Sequence, residues 1–207
     1  MDRKEHWEKI YREKKPGELS WFQREPARSL EWIQATTLSR DAAIVDIGGG
    51  ASVLVDRLQD LGYRKLTVLD LSGAALRVAG ERLGARATLV RWIEADVTDC
   101  NADLACDLWH DRAVFHFLTE AEDRKRYVEL LQHSLRPGGH LILAAFAPEG
   151  PEKCSGLLVR RTDSAMLLGD LGSGFNLLRE ETELHRTPAD KEQRFRYYLL
   201  QRSAAGA

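Results

Sequence analysis

The chain has 207 residues, a length that suits one domain with a sizeable hydrophobic core. Its 30 lysines and arginines nearly balance 32 acidic residues, and the net charge of -2 gives no electrostatic reason to expect a nucleic-acid partner. No apolar run is long enough to span a bilayer, and the charged start differs from a secretion signal, so we expect no membrane partner. Three cysteines without a CxxC pair predict reduced thiols and a cytoplasmic location, and we assign no metal ligands.

The beginning of the chain is predicted to form an N-terminal helical lid over residues 1–38, followed by the main domain over residues 39–207. A first helix is predicted over residues 3–14, where Trp7 and Tyr11 recur at helical spacing among charged residues. The lid would therefore carry aromatic side chains on one side.

Two adjacent aromatic residues, Trp21 and Phe22, follow the break made by Pro16 and Gly17. Two interpretations of the aromatic residues in this segment remain open. They pin the segment to the domain by ordinary packing, or they form the walls of a site and exclude water from it. In the second interpretation Trp21 and Phe22 bind a substrate.

A short apolar strand over residues 43–47 breaks into three glycines, Gly48, Gly49 and Gly50, and a helical pattern follows at once. Glycine allows a sharp turn and the close approach of a ligand to the backbone. The free N–H groups at the start of the helix point into the same crevice. Strand, glycine turn and helix together predict a nucleotide-type ligand.

Asp46, immediately before this turn, indicates which nucleotide-type ligand is favoured. A carboxylate repels the pyrophosphate of a dinucleotide such as NAD, whereas it attracts an ammonium group. S-adenosylmethionine (SAM) carries an ammonium and a sulfonium. The sequence therefore favours SAM, although a glycine turn alone is weak evidence.

Carboxylates also end the next two predicted strands. Asp70, followed by Leu71, lies 22 residues after Gly48, the distance expected for an acid that accepts hydrogen bonds from ribose hydroxyls. Asp96, followed by Val97, would sit beside an adenine. Two plainer alternatives remain open: Asp70 as a partner of the following helix dipole, and Asp96 as a solvated turn residue.

The fourth predicted strand ends with Trp109, His110, Asp111 and Arg112. Ligands of open parallel sheets lie beyond the carboxyl ends of the strands, so these residues are candidates for contact with a substrate. His116, a few residues later, is a further candidate for a pocket wall. A lone histidine is more often a packed or solvated residue than a catalyst, so that alternative stays open for both.

Strands and helices alternate strictly as far as residue 146, which predicts an α/β fold with a parallel sheet and helices on both faces. A long loop containing Cys154 follows. We interpret Cys154 as an ordinary loop cysteine without a reactive thiol. Two final strands, residues 175–185 and 193–202, predict a closing antiparallel hairpin.

This order of motifs resembles the class I SAM-dependent methyltransferases. Residues 46–52 resemble their first motif, Asp70 their ribose acid, and residues 135–139 their turn before the fifth strand. Ser52 stands where the family usually has a further glycine, and it can cap the helix instead. The resemblance implies a Rossmann-like, mostly parallel seven-stranded sheet with an antiparallel C-terminal hairpin. It also implies SAM as the cofactor, bound by Asp46, Gly48, Gly49, Gly50, Asp70, Leu71, Asp96, Val97 and His110.

Within that class the sequence is most similar to the thiopurine, thiocyanate and tellurite methyltransferases. Residues 109–113 resemble their Trp-Asp-Arg-Gly-Ala segment, with His110 inserted. This likeness implies a small-molecule acceptor with a soft sulfur, selenium or tellurium nucleophile. Protein lysine N-methyltransferases share a similar Asp-basic-small segment, so a protein substrate is the main alternative. A non-catalytic nucleotide- or SAM-binding protein is a distant one.

Asp111 and Arg112 are the predicted catalytic residues. Arg112 would attract or orient an anionic substrate, and Asp111 would hold Arg112 or reach the substrate itself. Trp21, Phe22, Arg112 and His116 are the predicted substrate-binding residues. The alternative is that Asp111 and Arg112 form a pair that only braces the loop.

Overall fold

The structure, a computed structural model, describes residues 2–204 of the chain. The strands in chain order are β1 (Ala43–Ile47), β2 (Lys65–Asp70), β3 (Val90–Glu94), β4 (Cys106–Arg112), β5 (Leu135–Phe146), β6 (Lys153–Cys154), β7 (Leu157–Leu158), β8 (Phe175–Arg186) and β9 (Glu192–Arg202). Seven of them form one sheet in the order β3-β2-β1-β4-β5-β9-β8, while β6 and β7 pair separately. The strands β1 to β5 are parallel, and β9 is antiparallel to both β5 and β8. The predicted fold class is confirmed.

The helices are α1 (Arg3–Glu13), α2 (Ala27–Ala35), α3 (Leu54–Asp60), α4 (Gly73–Leu83), α5 (Ala121–Ser134) and α6 (Ser164–Leu171). Three of them begin at a side-chain cap. The side chain of Asp2 accepts a hydrogen bond from the backbone N–H of Lys4 in α1, that of Ser72 from Ala75 in α4, and that of Asp163 from Met166 in α6. Within residues 2–204, none of these helices combines the length and the apolar character needed to cross a membrane.

The sheet separates two hydrophobic layers. Leu30, Leu54 and Leu76, from α2, α3 and α4, pack on one face, and Leu131 and Leu167, from α5 and α6, pack on the other. Side chains along a strand alternate between these two faces. In β4 the face toward α2 receives residues 108, 110 and 112, and the opposite face receives residues 109 and 111. This alternation decides which polar residues of β4 can meet.

The two helices of the predicted lid segment pack differently. Trp32 and Ile33 of α2 are fully buried, and the Trp32 ring lies 5.7 Å from the Tyr197 ring of β9. Helix α1 has no fully buried residue, although Trp7 and Tyr11 are half-buried. Helix α2 is therefore part of the hydrophobic core, and α1 lies on the surface at the carboxyl ends of the strands.

Candidate functional site

The turn after β1 has no room for side chains. Gly48 and Gly50 adopt positive φ angles of 64° and 20°. A Cβ added at Gly48 would overlap the side chain of Val114, and one added at Gly49 would overlap the carboxylate of Asp46. The glycines therefore allow the backbone to turn sharply while two neighbouring side chains pack directly against it.

Asp46 is 4% exposed and lies under this turn. Its Oδ1 atom is 2.7 Å from Nδ1 of His110, which is also buried. Its Oδ2 atom, beside Gly49, is buried and has no hydrogen-bond partner among the described residues. A buried carboxylate oxygen without a partner is costly, so this atom is positioned to receive a hydrogen-bond donor from a ligand.

Asp70, at the end of β2, is the second buried acid of the crevice. Its Oδ1 atom accepts a hydrogen bond from the backbone N–H of Ser72 at 2.8 Å. Its Oδ2 atom would be too close to a Cβ added at Gly50 for a side chain to fit there, which explains the third glycine. Burial, helped by the charges of Asp46 and Glu8, raises the pKa of Asp70 to about 7, although the Ser72 bond opposes the shift.

Asp96, after β3, stands at the other end of the crevice. Its Oδ1 atom accepts hydrogen bonds from the backbone N–H and the hydroxyl of Thr98, at 2.9 and 2.7 Å. Its Oδ2 atom lies 3.4 Å from the guanidinium of Arg3, which also reaches Asp123. Arg3 thus ties the start of α1 to this end.

Glu8 holds the middle of α1 on the same edge. Its Oε1 atom accepts hydrogen bonds from the hydroxyl of Ser72 and the backbone N–H of Ala74, both at 3.0 Å. Burial by itself would raise the pKa of Glu8, but these hydrogen bonds and the nearby Arg12 together lower it. A residue of α1 therefore caps the helix that follows Asp70.

Aromatic side chains close the space between α1 and the strand ends. The Trp7 ring makes edge contacts with Trp21 at 5.4 Å and with Phe117 at 5.1 Å, and Tyr11 lies 6.3 Å from Trp21. Beneath them is a cavity of about 100 Å³. It is lined by Arg3, Trp7, Tyr11, Trp21, Ile47, Gly48, Leu69, Asp70, Leu71, Ala95, Asp96, Val97, Arg112, Ala113, Val114, Phe117, Leu118 and Cys154.

A second cavity of about 50 Å³ lies on the other side of the glycine turn. It shares Tyr11, Trp21, Ile47, Gly48 and Arg112 with the first cavity. The predicted residues that line it and not the first cavity are Asp46, Gly49, Phe22 and His110. The two cavities together follow the carboxyl edge of the sheet from Asp96 to Asp46.

Arg112 lies between the two cavities, and its side chain is 9% exposed. Its Nε donates to Tyr197 Oη at 3.1 Å, its Nη1 donates to the carbonyl oxygen of Trp21 at 2.9 Å, and its guanidinium covers the Phe195 ring at 4.3 Å. Its Nη2 is buried, lies 3.6 Å from Glu183 and has no hydrogen-bond partner among the described residues. Arg112 is a fixed cation with unused donor capacity.

Asp111 does not hold Arg112, so that expectation is corrected. Asp111 is fully buried on the opposite face of the sheet, where it accepts hydrogen bonds from Tyr127 Oη at 2.7 Å and from the backbone N–H groups of Val114 and Phe115. Burial raises its pKa to about 6. Asp111 lines neither cavity, because strand alternation turns consecutive side chains to opposite faces.

His116 is likewise not a wall of either cavity, contrary to the prediction that it binds substrate. It is fully buried, with its ring 4.6 Å from that of Phe146 and 4.4 Å from that of Phe117. Its Nδ1 accepts a hydrogen bond from the backbone N–H of Phe146 at 3.3 Å. Burial and the charge of Arg112 lower its pKa to about 3, so the ring is neutral.

The remaining predicted residues lie around the crevice, except for Gly50, which packs against Asp70 without lining a cavity. Four residues that lie in or beside the crevice were not predicted from the sequence: Glu8, Ser29, Val114 and Tyr197. Val114 lies two residues before His116, the predicted wall residue, and could have been included with it. Nothing in the local sequence marks Ser29 or Tyr197, which meet only through the fold.

Comparisons with known proteins agree with this arrangement. A family model described as a methyltransferase domain matches residues 44–139. The EEF1A lysine methyltransferase 2 of Danio rerio is 30% identical over 157 residues, which cover 69% of this chain and 67% of that protein. The Homo sapiens protein of the same name is 25% identical over 195 residues, covering 86% of this chain and 75% of that protein.

Solved structures show the same fold. A structure from work on the conversion of a disulfide bond into a thioacetal group during echinomycin biosynthesis has a TM-score of 0.79 at 18% identity, covering 98% of this chain and 94% of its own. The N-methyltransferase NodS from Bradyrhizobium japonicum, in complex with S-adenosylhomocysteine, has a TM-score of 0.64 at 16% identity, covering 87% and 89%. The chain is an enzyme with SAM as its methyl donor, and it belongs to the class I SAM-dependent methyltransferases.

Proposed function

We propose that this methyltransferase acts on the side-chain nitrogen of a lysine in a protein substrate. The observation that carries the proposal is the similarity to two proteins named as EEF1A lysine methyltransferases, over two thirds or more of their length. This similarity supports the protein lysine alternative better than the small-molecule acceptor that the sequence analysis placed first. The Asp-basic-small segment at residues 111–113 is the local feature that both interpretations share.

The crevice fits the methyl donor by the chemistry of its residues. The unpaired Oδ2 of Asp46 is an acceptor for the donor's ammonium group, and Asp70 is an acceptor for ribose hydroxyls. The end of the crevice that would receive the donor's adenine is formed by Leu71, Asp96 and Val97. When bound, SAM supplies a methyl group that is already activated on a sulfonium. The protein's part is to hold the two reactants about 3 Å apart and to exclude water.

Helix α1 forms the roof of this crevice. Trp7 and Tyr11 line the first cavity, while Arg3 and Glu8 attach the helix to the edge that we assign to the donor. Donor entry therefore requires α1 to move away from Asp96 and Ser72. We propose that α1 is the moving part of the N-terminal lid expected over residues 1–38.

Arg112 has a role that suits an amine acceptor. A lysine must lose its proton before its nitrogen can attack, because the ammonium has no free electron pair. Apolar walls and a neighbouring cation both lower the pKa of an amine. Trp21 and Phe117 supply such walls, and Arg112 supplies the buried cation. Both features favour a neutral acceptor nitrogen, and the carboxylate of Glu183, 3.6 Å from Nη2 of Arg112, opposes the effect of the cation.

A small anionic acceptor is the second candidate. It is favoured by Nη2 of Arg112, which lies 3.6 Å from Glu183 but makes no hydrogen bond among the described residues, and by the small size of the roofed cavity. Substitution of Arg112 separates the two candidates. With an anionic acceptor, Arg112→Ala raises KM. With a lysine acceptor, it moves the rising limb of the pH–rate profile to higher pH without raising KM.

In the first experiment the purified protein is incubated with methyl-tritiated SAM and a lysate of the source organism's cells. The reaction is then separated into a protein fraction and a low-molecular-weight fraction. We expect label in protein bands, and purified EEF1A is a defined substrate to include. Label confined to the small-molecule fraction would contradict the proposal. Arg64→Ala is the matched control for Arg112→Ala, since Arg64 is exposed at the opposite edge of the sheet.

A further inference from the structure

A row of five buried side chains connects the donor end of the crevice to Arg112. Asp46 Oδ1 lies 2.7 Å from His110 Nδ1, and His110 Nε2 lies 2.9 Å from Ser29 Oγ. Ser29 Oγ lies 3.4 Å from Tyr197 Oη, which accepts from Arg112 Nε at 3.1 Å. These residues come from β1, β4, α2 and β9, so only the folded chain brings them together.

The direction of donation along this row follows from the chemistry of its two ends. A carboxylate oxygen can only accept, so the His110 nitrogen that faces Asp46, Nδ1, carries the proton and donates it. An imidazole with its one N–H at Nδ1 has an acceptor at Nε2, which suits the Ser29 hydroxyl as donor. At the other end Arg112 can only donate, so the Tyr197 oxygen accepts from it and the Tyr197 hydroxyl proton is available to Ser29.

This arrangement fixes the orientation of Asp46. The bond from His110 occupies Oδ1 and leaves Oδ2 beside Gly49, buried and without a partner among the described residues. Without that bond, the carboxylate could rotate about its χ2 torsion, which has broad minima. Gly49 provides the space for the observed position, since a Cβ there would overlap Oδ2.

We infer that His110 is a positioning residue that holds Asp46 for donor binding through a hydrogen-bond row anchored at Arg112. His110 acts through Asp46 and not by touching the reacting atoms. The inference rests on the binding of the methyl donor and is independent of the acceptor, so it stands or fails separately from the lysine proposal. The other interpretation is that His110 only fills space in the core.

Three substitutions separate these interpretations. In His110→Asn the side-chain amide lies near the position of Nδ1 and can still donate to Asp46. In His110→Gln the amide extends to the position of Nε2 and loses Asp46. His110→Phe fills the volume without any hydrogen bond. If His110 only fills space, the affinity for the donor should follow the volume of the substituted side chain. If His110 positions Asp46, the affinity should follow whether that side chain can donate a hydrogen bond to Asp46.

The experiment is calorimetric titration of each variant with S-adenosylhomocysteine, which needs no acceptor. We expect the Asn variant to bind within about threefold of the wild type, and the Gln and Phe variants to bind about tenfold or more weakly, the equivalent of one hydrogen bond to a charged group. Equal affinities for all the variants, or an Asn variant weaker than the Phe variant, would overturn the inference. Thermal unfolding of each variant identifies losses that come from misfolding.

A second measurement observes the wild-type protein directly and needs a variant only to assign the signals. Nitrogen-15 spectra of labelled histidine distinguish protonated from unprotonated ring nitrogens. Among the six histidines, the signals of His110 are those that disappear in His110→Asn. We expect a proton on Nδ1 and none on Nε2. A proton on Nε2 with a bare Nδ1 would overturn the inference, because His110 could not then donate to Asp46.

Discussion

The carboxylate of Glu8 accepts a hydrogen bond from the backbone N–H of Ala74 at 3.0 Å, so a residue of α1 caps the first turn of α4. Helices usually obtain such caps from the residue just before them, as α4 also does from Ser72. The additional cap comes from 66 residues away in sequence. It makes the roof of the crevice and the helix after Asp70 depend on each other.

Removal of this cap is expected to loosen α1. Glu8→Ala leaves the Ala74 N–H and the Ser72 hydroxyl without their partner, so we expect a loss of about 1 kcal/mol in the free energy of unfolding. Hydrogen exchange of the α1 amides should become faster. Glu13→Ala is the control, since Glu13 is an exposed residue of the same helix that pairs with the exposed Lys9. Equal effects of the two substitutions would contradict the role of the cap.

Gly49→Ala is expected to abolish donor binding, because the new Cβ would overlap Asp46 Oδ2 and force the carboxylate out of its position. Gly80→Ala is the matched control. Gly80 lies inside α4 with open space around it, so the same change there should leave binding intact and increase stability by about 0.5–1 kcal/mol. Titration with S-adenosylhomocysteine and thermal unfolding measure both effects. If Gly49→Ala binds S-adenosylhomocysteine as tightly as the wild type does, donor binding does not require the observed position of the Asp46 carboxylate.

Asp70 is expected to make stability depend on pH. Its pKa, raised by burial to about 7, exceeds the value of about 3.9 in an unfolded chain, so the folded protein binds this proton more tightly. The free energy of unfolding contributed by Asp70 therefore falls as pH rises from about 4 to about 7, by up to about 4 kcal/mol. Asp111, whose pKa is raised to about 6, contributes in the same direction.

Urea unfolding of the ligand-free protein at several pH values in this range tests the role of Asp70. Asp70→Asn should reduce the decrease, leaving the part that comes from Asp111. Asp41→Asn serves as the control because Asp41 is exposed and pairs with Arg64. A decrease of the same size in Asp70→Asn and the wild type would be inconsistent with a raised pKa for Asp70.

Because Asp111 is buried away from the cavities, we expect the loss of its partner Tyr127 to affect stability and not binding. Tyr127→Phe leaves the Asp111 carboxylate and the Trp109 indole N–H without their hydrogen bonds to the Tyr127 hydroxyl. We expect a loss of about 1–3 kcal/mol in the free energy of unfolding, with the affinity for S-adenosylhomocysteine unchanged at a temperature where the variant is folded. A variant as stable as the wild type but impaired in binding would place Asp111 in the site after all.

The fold, and the grouping of the three predicted acids at one edge of the sheet, could be predicted because their signals are local. Strands and helices alternate visibly, and the three acids of the crevice lie at or just after the carboxyl ends of β1, β2 and β3. The carboxyl ends of parallel strands meet at one edge, so Asp46, Asp70 and Asp96 had to lie near one another. Their positions along the cavities follow the strand order.

The surroundings of the predicted catalytic and substrate-binding residues were predicted less well, for two different reasons. The separation of Asp111 from Arg112 could have been foreseen, because consecutive residues of a strand face opposite sides. The burial of His116 could not, because it depends on Phe146 and Phe195 from β5 and β9. The same holds for Ser29 and Tyr197, whose hydroxyls meet across 168 residues of sequence.

The most direct test of the proposed function is chemical identification of the methylated product. Protein labelled with methyl-tritiated SAM is hydrolysed to amino acids, and the radioactivity is separated by chromatography. We expect it to elute with methylated lysine, and to disappear when Gly49→Ala replaces the wild-type enzyme. Radioactivity that elutes with another amino acid, or that is found only in small molecules, would contradict the assignment of lysine as the acceptor.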